Sequence, residues 1–98
     1  MPRHPGLAAC LALAACASPS PAFLGAEPRR VEVEGWQIDV YRRGNRAQAI
    51  RMTDEWGATA EVMARRGLIA IALVTGCEDL DRSGRPDPAV LIAEIGCG

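Results

Sequence analysis

From Val31 to Tyr41 the chain reads VEVEGWQIDVY, and apolar and polar positions alternate with a period of two. Val31 and Val33 fall on one side, Glu32 and Glu34 on the other. Glu34-Gly35 interrupts the alternation as a two-residue hairpin turn. Beyond it Trp36, Ile38 and Val40 continue the apolar set, with Gln37, Asp39 and Tyr41 opposite. A second turn falls at Gly44-Asn45, where both residues tolerate positive φ. The chain then returns from Ala47 to Met52 as a third strand, predicted to turn Ile50 and Met52 inward. These segments predict an antiparallel meander with one apolar face.

The period changes between Thr59 and Thr75. Val62, Met63, Ile69, Ala70 and Leu73 trace a helical stripe that Arg66 interrupts, with Thr59 placed to cap the start and Gly76 following the end. Leu68 to Thr75, preceded by Gly67, also suits a buried strand, and periodicity alone does not separate helix from strand there. A helix is the preferred reading because a bare antiparallel sheet needs a cover. Ala89 to Cys97 reads as the final strand and Cys77 to Leu80 as a short strand of its own, with the turn-rich DRSGRPDP between them. Trp56 is expected to pack the loop before the helix onto the core. The expected fold class is α+β: a three-stranded meander plus a C-terminal strand, covered by one α-helix.

Before this region the pattern is different again. Arg3 and His4 precede a continuous Leu/Ala/Cys run from Leu7 to Ala15, which Ser18, Pro19 and Pro21 then break. The run has the length of a signal-peptide apolar region and about half the roughly 20 residues a membrane-spanning helix needs. It predicts export. Cleavage at the A-x-A-like Ala15-Cys16-Ala17, or at the looser match Ser20-Pro21-Ala22, would give a soluble periplasmic or secreted protein. The four residues Leu13-Ala14-Ala15-Cys16, however, resemble the lipobox of bacterial prolipoproteins. That resemblance implies cleavage before Cys16, a diacylglycerol on its thiol, and a mature protein held at the periplasmic face of a bacterial membrane. Leu7 to Cys10 spells the same four letters with almost no apolar run before it. The organisation that follows is a signal peptide over 1–15, a lipidated cysteine and flexible tether over 16–28, and the domain over 29–98. The Pro, Ser and Ala of the tether would let it extend to roughly 35 Å at about 3.1 Å per residue.

Composition narrows the chemistry. A chain of 98 residues holds one domain, and 11 basic residues against 12 acidic ones leave a net charge of −1. Nothing here drives the protein toward nucleic acid. Every basic residue is an arginine, and the only histidine is His4. The chain after the signal peptide therefore has no Ser-His or Cys-His pair, no Schiff-base lysine and no histidine-rich metal site. Gly-rich phosphate loops are absent from the sequence as well. Asp54-Glu55 and Glu78-Asp79 are adjacent carboxylates in a domain too small to offer a sugar cleft, and read as solvated pairs. Asp79, Asp81, Ser83 and Gly84 match half of a calcium loop whose twelfth place is Val90, and a polar turn accounts for the same letters. No enzymatic activity, cofactor or metal is expected.

Two constellations remain. About 70 folded residues bury a marginal core, and Cys77 and Cys97 are the two thiols left in it after export, so a disulfide between them is expected. Closing a loop of about 20 residues is worth roughly 3 kcal/mol in the chain-entropy model. Arg42, Arg43 and Arg46 cluster on the second hairpin turn as a candidate anion contact, or as a solvated turn partly neutralised by Glu32, Glu34 and Asp39. The ending of helix, "TGC" step and cysteine-bearing strand also resembles small uncharacterised secreted bacterial domains, which implies no activity. The expected role is non-catalytic binding or support in the cell envelope, with the membrane engaged through the N-terminal lipid and an envelope protein as candidate partner. The alternative is an inhibitor or accessory subunit of an envelope enzyme, docking through the arginine hairpin.

Overall fold

The computed structural model describes residues 19–97. Strands β1 (Arg29–Val33), β2 (Trp36–Arg43) and β3 (Arg46–Arg51) precede the helix α1 (Ala60–Thr75), and β4 (Leu80–Ser83) and β5 (Val90–Ile95) follow it. They form one antiparallel sheet in the order β1-β2-β3-β5-β4. The α+β class, the meander and the covering helix are as the sequence predicts. The short strand expected at Cys77 to Leu80 lies instead at Leu80 to Ser83, where it pairs with Ile92 to Ile95 as the fifth strand of the sheet and takes up residues read as turn.

Local chemistry sets the two hairpins. Glu34 and Gly35 both have positive φ, 51° and 88°, the signature of a type I′ turn whose twist matches the flanking strands. In the second turn only Gly44 is positive, at 61°, as a type II′ turn requires. The helix begins where the Thr59 hydroxyl accepts the Val62 N–H at 3.2 Å. It ends at Gly76, whose left-handed backbone lets its N–H reach Ala72 O at 2.8 Å. Leu68 to Thr75 is therefore helix.

The helix lies close on the sheet. At Gly67 an added Cβ would stand 2.7 Å from Leu91 Cδ2, so the close approach depends on its lacking a side chain. Beneath the helix the sheet presents Ala47, Ala49 and Ala93, all fully buried, flanked by Ile38, Val40, Leu91 and Ile95. This corrects the facing of β3. Ile50 and Met52 point to the opposite side, because the space under α1 admits only small side chains at the centre of the sheet.

That opposite side is itself covered. Pro21–Phe23 forms a single 3-10 turn, and Phe23, 1% exposed, packs with Tyr41 and Ile50 against Met52, Val90 and Ile92. Ser20 and Leu24 add polar fixings: the Ser20 N–H donates to Gln48 Oε1 at 3.0 Å, and Arg43 Nη2 donates to Leu24 O at 2.6 Å. Residues 19–28, expected to be tether, are thus bound across the sheet from Ser20 to Leu24. Burial of the Phe23 ring, worth about 1.5–3 kcal/mol, acts with these hydrogen bonds to offset the ordering of a segment whose backbone Pro21 already restricts.

Candidate functional site

The densest cluster of polar side chains sits where the β1–β2 turn, α1 and the loop before α1 meet. Trp36 begins β2 with its ring buried, and its indole N–H donates to the Glu55 carboxylate. Above the ring lies Arg66, its guanidinium carbon 4.4 Å from the centroid, and Arg51 stands 5.3 Å from the same centroid. Arg66 interrupts the apolar stripe of the helix for this reason: its stem and guanidinium cover the indole. Glu34 completes the group. Its two oxygens receive Arg65 Nη1 at 2.6 Å and Arg65 Nη2 at 2.9 Å, and Arg66 Nε donates to it at 3.1 Å. These donors and acceptors pair with one another, which makes the cluster a clasp between three elements. Trp56, expected on the core, is instead fully exposed, and Trp36 fills the position of the buried indole.

Hydrogen bonding from Arg65 is the main cause that holds the Glu34 carboxyl below its ordinary range. Desolvation opposes it, and the charges of Arg65 and Arg66 reinforce it. A depressed folded pKa adds stability that is complete above the ordinary value of 4.5 and is lost as pH falls through the folded value. Glu34→Gln should therefore melt slightly below wild type at neutral pH. The gap should shrink in high salt and close on acidification, as paired thermal melts across pH will report.

The hairpin arginines do not share one cradle. Arg43 and Arg46 stand opposite each other across the ladder, whereas Arg42 pairs with Ala47 and faces the helix side. Arg42 Nε donates to Gly44 O at 3.1 Å and Arg43 to Leu24 O, so two of the three each spend a donor on a backbone carbonyl. The expected neutralising acids lie elsewhere: Asp39 pairs with Arg30 at 2.6 Å, Glu34 with the helix arginines, and Glu32 accepts from Gln37 at 3.1 Å. Arg46 lies across from Glu94.

Cys77 and Cys97 form the disulfide, with Cα atoms 5.6 Å apart and the Cys77 side buried. It joins the residue after the helix cap to the residue two beyond β5. Beside it Ile69 and Leu73 are exposed, and with Ala72, Gly76 and Glu78 they border an open depression of about 500 Å³. Asp81 and Ser83 belong to β4, and among the described residues no three His, Cys, Asp or Glu side chains converge as a metal site. Cys16 lies outside the described residues. The fold and these clusters define a small disulfide-bonded α+β domain covered on both faces of its sheet. No protein family, curated protein or solved structure matches the chain.

Proposed function

We propose that the chain is a small exported protein of the bacterial cell envelope, anchored through lipid on Cys16, whose domain serves a binding or structural role without catalysis. The observation that carries this reading is the apolar run Leu7 to Ala15 ending directly in Leu13-Ala14-Ala15-Cys16. The Cys77–Cys97 disulfide supports an oxidising compartment. Among the described residues no helix is long and apolar enough to cross a membrane. Docking of an inhibitor through the arginine hairpin draws no support from donors already bound to Gly44 and Leu24.

Metabolic labelling with a fatty acid, with intact mass of the mature N-terminus, tests the anchor. Cys16→Ala should abolish incorporation, and Cys10→Ala should leave it unchanged. An unmodified N-terminus at Ser18 or Phe23 would make the protein an ordinary secreted one.

A further inference from the structure

We propose that the sheet face opposite the helix, on its β3–β5 half, lies against the bilayer headgroups and that α1 is turned to the aqueous side. The inference rests on the lipid anchor at Cys16 and adds an orientation to it. The Ser20 N–H is bound to Gln48 Oε1, and Gln48 Nε2 donates to Ser20 Oγ at 2.5 Å, with Gln48 only 3% exposed. Phe23 is buried three residues later. The chain is therefore fixed to the middle of β3 from Ser20 onward, and four residue steps separate that point from Cys16.

Four steps span at most about 14 Å even when fully extended. To bring the helix side to the bilayer, the chain would have to leave β3 on the outer face and pass β5 and β4, about 10 Å at the usual strand spacing. It would then have to pass the sheet and a helical layer about 10–12 Å across. The total, about 20 Å or more, exceeds the reach. The reach therefore keeps the helix side off the bilayer and leaves the outer face, or a tilt from it toward the β4 edge, against the membrane.

The surface beside the exit point suits that contact. A shallow groove of about 280 Å³ opens next to Ser20, with half-buried Val90 and Ile92 in its floor and exposed Arg85 at its rim. Ser83 Oγ, in the same groove, is buried without a hydrogen-bond partner. Arg43 and Arg46 share this face with Asp81 and Glu94, so charge of both signs is present. The short covalent connection, not charge, sets the orientation, and the arrangement should not respond to salt. Ile69 and Leu73, exposed on the helix, then face away from the bilayer.

The test uses the full-length protein in native membranes, with a photoreactive phenylalanine analogue at Arg85 or at Leu73 and cross-linked lipid as the readout. Yield at Arg85 should exceed yield at Leu73 several-fold and should persist in high salt. A long Gly/Ser insert between Ser18 and Pro19 should bring the two yields together. The mass of the mature N-terminus is read in the same samples. A fatty acid on Cys16 with equal or reversed yields overturns the orientation and leaves the anchor standing. A strong Arg85 preference that survives the insert overturns the role of the short connection. Absence of the fatty acid overturns the anchor and this orientation with it.

Discussion

Serine at both Cys77 and Cys97 should destabilise the domain by about 2–5 kcal/mol, the usual loss for a disulfide in a small secreted domain. Total stability for a domain of this size is about 5–15 kcal/mol, so the double variant should be close to unfolding near 37 °C. The physical reason is topological. The bridge closes 20 residues of sequence separation that hold β4, its turn and β5. Without it, β4 keeps its position through four ladder pairs with β5 and the modest packing of Leu80. Urea titrations of wild type, reduced wild type and Cys77→Ser/Cys97→Ser should give the same midpoint for the last two and a higher one for the first. Free labelling of both thiols in native, untreated protein would contradict the expectation.

The second large effect concerns the segment that crosses the outer face. Phe23→Ala should cost about 3–5 kcal/mol if the segment unfolds with the domain, the range for truncating a fully buried aromatic residue. The loss is capped at the docking energy of residues 19–28 if they detach alone, since the helix-side core does not include Phe23. Tyr41 distinguishes the two outcomes. Burial is the main cause that raises its phenol above the ordinary value of 10.0, with the Asp39 charge adding to the rise and Arg30 opposing it. Detachment should drop the Tyr41 pKa toward that ordinary value while the fluorescence of Trp36, read in a Trp56→Phe background, stays native. The protein has one tyrosine, so an ultraviolet titration assigns itself. An unchanged phenol titration and an unchanged melt would show that Phe23 does not cover Tyr41.

Features encoded by neighbouring residues were legible in the sequence. Both hairpin turns, the Thr59 cap and the Gly76 stop depend on backbone conformations that a few side chains favour, and all four fall at the predicted residues. The second cover was not legible from the Pro, Ser and Ala of residues 19–28, which read locally as unstructured. Its signal lay in the strands. Tyr41 lies on the parity assigned to solvent, Ile50 alternates with Ala47 and Ala49, and Val90 and Ile92 alternate with Leu91 and Ala93; strands with apolar residues on both parities are buried on both faces. Facing of β3 failed for a related reason: Ala47 and Ala49 are weak apolar signals beside Ile50, yet the close helix at Gly67 selects the small residues. Arg66 looked like a defect in the stripe because its partner, Trp36, lies 30 residues earlier in the chain. The two tryptophans illustrate the same limit. Alternation placed Trp36 with Ile38 and Val40 correctly, while Trp56 sits in a loop where no periodicity applies.

The strand order β1-β2-β3-β5-β4 leaves β1 and β4 as the edges, each with unpaired backbone groups open to another chain. Such groups are a polymerisation hazard, and the proposed lipid anchor would raise it, because copies held on a membrane surface meet far more often than in solution. Both edges are blunted by their side chains. Arg29, Arg30 and Glu32 stand exposed along β1, and β4 is only four residues long with Asp81 and Arg82 exposed at its centre. A copy adding a strand at either edge would have to desolvate those charges for a short ladder in return. The same residues that make the outer strands look unremarkable in sequence thus work against fibrous self-assembly in a chain that is 49% hydrophobic.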